Sequence, residues 1–119
     1  MKKILLKPLR FIGSADKDLR AMPKTVKIKV GRALQYVQGG QTPEAAKPLK
    51  GMAGVMEIVT RYDKDTYRSV YITEIKGMVY VLHCFKKKSK QGNKTPKEDI
   101  DLIKHRLRLA HEDNERTKQ

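Results

Sequence analysis

Tryptophan is absent from this 119-residue chain, phenylalanine occurs twice and cysteine once. A single thiol, Cys84, excludes an intramolecular disulfide, and no CxxC pair exists to hold a metal or run a redox cycle. The three histidines (His83, His105, His111) do not stand at metal-ligand spacing with carboxylates, so neither a metal nor another cofactor is expected. No apolar run approaches the roughly 18 residues that a membrane-spanning helix needs. The start, MKKILLKPLRF, has the charge and apolar character of a secretory signal. Lys7, Pro8 and Arg10 break it within a few residues and no small-residue cleavage site follows, so it reads as a first strand. One domain with a single modest core, in a reducing cytoplasm, fits these absences.

Acidic residues are scarce too. Thirteen Asp and Glu face twenty-seven Lys and Arg, for a net charge of +14. Residues 1–40 carry ten bases and two acids, 41–85 six and five, 86–119 eleven and six. The surplus therefore lies in the two ends, and the middle is nearly balanced. A polyanionic partner is the favoured reading, either nucleic acid, the ribosome or a strongly acidic protein. The bland alternative is a basic protein that is merely soluble.

The local pattern gives an element order. Ile4–Leu6 is a short strand candidate. Ser14 stands as N-cap of a brief helix with Asp16 and Asp18 in its first turn and Ala15, Leu19 and Met22 as its apolar stripe. Pro23 opens a second helix that runs to Gln38 and ends at Gly39-Gly40, with Val26, Val30, Ala33, Leu34 and Val37 on one face. A Pro/Gly-punctuated connection follows. Three strand candidates, Val55–Tyr62, Tyr67–Glu74 and Met78–Phe85, are joined by short turns into an antiparallel meander. Alternation sets Met56, Ile58 and Tyr62 on one face of the first, and Val55, Glu57, Val59 and Arg61 on the other. Thr95-Pro96-Lys97-Glu98 is a capping box opening a last helix whose stripe is Ile100, Ile103, Leu107 and Ala110, with a frayed polar tail from Glu112. The order β-α-α-β-β-β-α predicts an α+β domain, a curved antiparallel sheet with its helices packed on one face.

Few residues here carry chemistry. No Ser–His–Asp set, phosphate-cradling glycine loop or paired acidic motif is present. Arg68 shares a strand face with Val70 and Ile72. It either forms a structural bridge, for which Glu57 on the neighbouring strand is available, or projects toward an anion. Lys86, Lys87 and Lys88, with Lys90 behind, end the last strand; they are either a solvated run or cations that a rigid sheet holds for phosphate. Tyr67, Tyr71, Tyr80 and His83 are packing residues or platforms for an unstacked base, and His83 suits proton transfer. Cys84 reads as a small core residue.

The runs PLKGMAGVMEIVTRY, TYRSVY and VYVLHCFKKKSKQGNKTPKEDIDLIKHRL resemble the phage-derived HigB-like toxin family of the RelE/ParE superfamily. The matching features are L-K-G before a strand with E-I, the Y-R-x-x-Y strand, the H-x-F-x-K-K strand end and T-P-x-x-[DE]-I opening the last helix. The resemblance covers residues from about 4 to 110. It implies a type II toxin–antitoxin toxin, a ribosome-dependent mRNA endonuclease in which a nucleotide's 2′-hydroxyl attacks its own 3′-phosphate. Its partners would be ribosome, mRNA and a cognate helix-turn-helix antitoxin. On this resemblance Arg68 contacts the scissile phosphate, Lys86 and Lys87 steady the phosphate or leaving group, and Lys50 clamps the backbone. Arg61, Tyr71, Lys88 and Lys90 complete the RNA-contacting set, and Glu57 is either a general base or a partner for Arg68 or Arg61. Two departures stand out. The chain-end Tyr or His of many relatives gives way to a lysine loop and a helix, and Glu57 stands where RelE has lysine. A non-enzymatic ParE-like inhibitor of DNA gyrase and an inactive phage-derived RNA-binding module are the alternatives.

Overall fold

Two tight hairpins organise the sheet. In the computed structural model, which describes residues 6–87 and 94–117, β3 (Val55–Tyr62) turns through Asp63-Lys64 into β4 (Asp65–Ile75). That strand turns through Lys76-Gly77 into β5 (Met78–Lys87). Asp63, Lys64, Lys76 and Gly77 all have positive φ (50°, 70°, 29° and 74°). Two left-handed residues in a row match the right-handed twist of the flanking strands.

Ahead of the meander come β1 (Leu9–Phe11), α1 (Ala15–Arg20), α2 (Lys24–Gln38) and β2 (Ala46–Pro48); α3 (Lys97–Thr117) follows it. The five strands are ordered β1-β5-β4-β3-β2. The three meander strands and α2 lie where the sequence places them, but five details of the reading change. The first strand begins after Pro8, whose carbonyl accepts the Val79 amide. Lys7 is tied to the end of α2, where its amide donates to the Gln38 carbonyl (2.8 Å). Ile4 and Leu5 lie outside the described residues, and Leu6 is exposed. β1 pairs with β5 in parallel, so the sheet is mixed rather than wholly antiparallel. The Pro/Gly connection contributes β2, antiparallel to β3; Pro48 marks it as an edge strand, the place where a missing amide is tolerated.

The helices lie on both faces, not one. Against one face α1 and α2 pack Leu19, Val26, Val30, Leu34 and Val37 onto Ile58, Tyr67, Tyr71, Val79, Val81 and Cys84. Against the other, α3 packs Ile103 and Ala110 onto Val55, Val70, Ile72, Tyr80 and Leu82. β4 is therefore buried on both sides over residues 67–72, which is why its apolar pattern is almost continuous.

A β-bulge decides the rest of the geometry. Val70 stands opposite His83 and Tyr71 opposite Val81, which leaves Leu82 without an opposite residue. The extra residue reverses the alternation, so that Leu82 and His83 both face α3, and beyond them Phe85 and Lys87 do as well.

Both ends of the helical parts differ from expectation. Ser14 does not cap α1 through its side chain; its hydroxyl donates to Asp18 (2.8 Å) and accepts from Arg106 (2.8 Å). Nor does α3 fray at Glu112. It continues to Thr117 because Asn114 is buried, and Asp113 accepts the Tyr80 hydroxyl (2.8 Å) and pairs with Arg10 (3.2 Å). Among the described residues no helix is long and apolar enough to cross a membrane.

The Tyr80–Asp113 bond gives an ordered pair of expectations for urea unfolding. Tyr80→Phe removes the bond donated to Asp113 and the contact with Asn114 and costs about 0.5–1.5 kcal/mol. Asp113→Ala leaves the Tyr80 hydroxyl with Asn114 but with no acceptor for its proton, and releases Arg10, so it costs more, about 1–3 kcal/mol. Equal losses would show that the tail does not hold Tyr80.

Candidate nucleic-acid site

Strand register fixes which side chains meet on the α3 face. Reading across β5, β4 and β3, the outermost row is Lys87, Thr66 and Arg61, and the next is Phe85, Arg68 and Val59. The third is His83, Val70 and Glu57, extended by Lys47 on β2. Rows lie about 7 Å apart and neighbouring strands about 4.8 Å. Helix α3 covers the inner rows.

Arg68 sits in the middle of this face, about 4% exposed, and its guanidinium donates to the carboxylate of Glu57, itself 3% exposed. Arg68 is thus bridged to Glu57, as the first of its two sequence readings has it. Its Nε is buried without a hydrogen-bond partner, and burial pushes the guanidinium below its ordinary pKa, although an arginine stays charged in any protein environment.

Lys87 is the second buried cation, 5% exposed. Among the described residues no carboxylate pairs with it. Burial, and then the charges of Arg68 and Lys47, push its ammonium below the ordinary 10.5. Lys47 completes the cluster from directly opposite Glu57. Three cations against one carboxylate leave a local surplus of two positive charges. A groove of about 560 Å3 opens beside them, lined by Lys47, Lys50, Glu57, Lys94, Thr95 and Ile100 among others. Of the cluster, Lys47 and Glu57 line that groove, whereas Arg68 and Lys87 are buried on the neighbouring strands β4 and β5.

Several expected site residues lie elsewhere. Lys86 projects from the opposite face, in the row of Tyr67, and pairs with Asp65 (3.1 Å); that hydrogen bond raises its pKa. The Lys86–Lys87 pair is therefore split by the pleat, and the bulge at Leu82 selects Lys87 for the α3 face. Tyr71 is 2% exposed in the core beneath α2, on the face away from Arg68, and cannot stack on a base. Burial raises its pKa. His83 shares the face with Arg68 but is buried under α3, stacked on Phe85 (ring centroids 4.5 Å apart) and bonded through Nε2 to Asp99 (2.7 Å). It is a structural residue. Arg61 is exposed at the end of β3, and Lys50 lines the groove. Lys88 and Lys90 lie outside the described residues. Cys84 is buried, its thiol pushed up to about 11 by desolvation, so it is no nucleophile.

Three positions escaped the sequence reading. Lys47 was hidden in the connection that becomes β2. Asp99 reads as an ordinary first-turn acid. Arg106, 8% exposed, donates to the Leu82 carbonyl (3.0 Å) and to Ser14, with His83 Nδ1 at 3.5 Å. Its signal was its place between Ile103 and Ala110, on the buried stripe of α3. Gly13, at φ +59°, leaves it room, since a Cβ there would stand 2.9 Å from the guanidinium.

Comparison with known proteins supplies the family. The family described as "Phage derived protein Gp49-like" matches residues 17–108. This chain belongs to that family. No curated protein matches it. Among solved structures, a mutant of the E. coli toxin RelE in the free state is similar, with 29% identity and a TM-score of 0.54 over 66% of this chain and 81% of that one. The toxin–antitoxin complex RelBE2 from Mycobacterium tuberculosis also matches, with 23% identity and a TM-score of 0.49 over 69% of this chain and 99% of that one. The α+β architecture of the Gp49-like chain is thus that of a RelE-type fold.

The buried pair makes one prediction about how mutants must be read. Arg68→Met strands Glu57 and costs about 3–5 kcal/mol of stability, whereas Arg68→Met with Glu57→Leu recovers most of it. Denaturant melts of the two variants decide, and a double variant no more stable than the single one would refute the coupling.

Proposed function

We propose that this protein is the toxin of a type II toxin–antitoxin pair and acts in the cytoplasm as a ribosome-dependent mRNA endonuclease. The observation that carries the reading is the surplus of two positive charges around Arg68, from the buried Lys87 and the exposed Lys47, on a RelE-type fold and near a groove lined by Lys47, Lys50 and Lys94. Such a surplus destabilises the free protein and is relieved by a phosphate.

In this reading the scissile phosphate enters beside Arg68 and Lys87. The 2′-hydroxyl of the preceding nucleotide attacks it, and negative charge grows on the non-bridging oxygens as the phosphorus becomes five-coordinate. The bond to the 5′-oxygen of the next nucleotide then breaks, leaving a 2′,3′-cyclic phosphate and a 5′-hydroxyl whose proton comes from the Lys87 ammonium or from water. Lys87 and Arg68 stabilise that charge without having to move toward it. The phosphate competes with Glu57 for the guanidinium, and a carboxylate released from Arg68 is the base available for the 2′-hydroxyl proton. Lys47, Lys50 and Lys94 line the approach and grip the flanking backbone. A cognate helix-turn-helix antitoxin would neutralise the protein by covering this groove with acidic side chains.

Lys87→Met tests the reading without disturbing the Arg68–Glu57 pair. Cleavage of mRNA on programmed ribosomes falls about a hundredfold or more, the usual loss for a transition-state charge contact, and growth arrest on induction disappears. Stability at neutral pH rises, because a desolvated, repelled cation is gone. Lys87 has a folded pKa below 10.5, so its penalty is complete below that depressed value and fades as pH climbs from there to 10.5. The stability gap between variant and wild type therefore closes in alkali. A folded Lys87→Met protein with full cleavage would overturn the assignment. Growth arrest with DNA damage and no new mRNA ends would point to gyrase inhibition instead.

A further inference from the structure

The cations of the sheet do not end at the groove. Arg61 stands in the row of Lys87, two strands away, or about 10 Å. β2 covers β3 only as far as Ile58, where Ala46 is the opposite residue, so the Arg61 end of β3 is an open edge. A second groove of about 490 Å3 follows that edge, lined by Lys29, Glu44, Lys47, Val59 and Arg61 among others. Lys47 lines both grooves and stands between them at β2. On the far side stands α2, which carries four cations and no acid; its Lys29 is exposed. Glu44 is the only carboxylate lining this second groove.

We propose that this edge is a second RNA-backbone site, a track on which a single strand leaves the Arg68–Lys87 centre. It crosses β3 beside Val59, passes between Lys47 and Arg61, and runs over the sheet edge against Lys29. The track rests on the RNA reading above and extends it, since it makes the footprint several nucleotides long and bends the strand from one sheet face toward the other. By register Arg68 and Arg61 stand one strand and one row apart, about 8 Å, and Arg61 and Lys47 one strand and two rows apart, about 15 Å, so their long side chains reach phosphates one to two nucleotides apart along an extended strand. An acidic protein segment would meet the same charges. Three cations against one carboxylate along this groove favour a nucleic-acid backbone, and the adjoining surface lined by Ala33, Tyr36, Ile58 and Val59 offers an unstacked base an apolar platform.

Length dependence tests the track. Fluorescent 2′-O-methyl RNAs of three and twelve nucleotides, which cannot be cleaved, are titrated against wild type, Lys29→Ala/Arg61→Ala, Lys24→Ala/Lys27→Ala and Lys87→Met. Wild type binds the twelve-mer at least tenfold more tightly than the three-mer. Lys29→Ala/Arg61→Ala erases that advantage, leaves three-mer binding within twofold, and lowers the salt slope of twelve-mer binding by about 1.4, at about 0.7 per lost phosphate contact. The control pair Lys24→Ala/Lys27→Ala, on the same helix with the same charge change, alters neither. The track is overturned if the Lys29/Arg61 variant keeps the length advantage, if it weakens both RNAs alike, if the control pair acts equally, or if a twelve-residue polyglutamate binds as tightly with the same dependence. A three-mer that binds wild type and Lys87→Met equally would instead overturn the RNA reading of the Arg68 centre. If wild type binds neither RNA, both fall.

Discussion

Arg68 stays inside the sheet because Glu57 is there to meet it. A guanidinium and a carboxylate, each almost wholly removed from water, form a pair whose desolvation costs as much as their attraction returns, and an apolar pair of the same volume would serve folding at least as well. Everything at the outer end of the α3 face is arranged around this compromise. Glu57 is the single acid of the cluster, Lys47 stands opposite it, and Lys87 enters the same field with no acid of its own. The sheet therefore ends in a region that is neutralised only in part. Folding does not require such a deficit, whereas recognition of an anion does.

What makes the deficit usable is rigidity, and two devices supply it. The bulge at Leu82 shifts the alternation of β5 by one residue, so that Lys87 rather than Lys86 meets Arg68. The second device is the polar chain beneath α3. Asp99 holds His83, and Arg106 ties the Leu82 carbonyl at the bulge to Ser14 at the start of α1. The bulged strand, the covering helix and the N-terminal hairpin are thereby fixed to one another at one point. A buried histidine between an aspartate and an arginine thus ties α3 to the bulged strand.

Much of this was legible in the sequence, and the exceptions have physical causes. β3 and α2 appeared at their true bounds because period-2 and period-3.6 patterns are strong where one face is buried. Arg68 and Glu57 were visible as residues of adjacent strands on one face. Lys86 was misassigned because a bulge is a tertiary event: nothing in VYVLHCFKK announces that Leu82 will lack an opposite residue. Tyr71 was misassigned because β4 is buried on both faces, so alternation no longer tells solvent from core. Lys47 was hidden in a three-residue edge strand, too short for any period to register. Helix α3 covering the face opposite to α1 and α2 followed from no local signal, since every helix here has a single apolar stripe that fits either side of the sheet.

The net charge of +14 then divides into two parts with different physics. Exposed cations such as those of α2 act through solvent, where salt screens them beyond about 8–10 Å; they set how fast and how strongly a polyanion is gathered. Arg68 and Lys87 act in a desolvated pocket, where screening is weak and geometry is fixed. The first group can be exchanged among positions at little cost, because only its sum matters at long range. The second cannot, because each member is held in a particular row of a particular strand. The Gp49-like chain thus holds two buried cations within a strongly basic surface, and the buried carboxylate of Glu57 is what lets Arg68 be folded there.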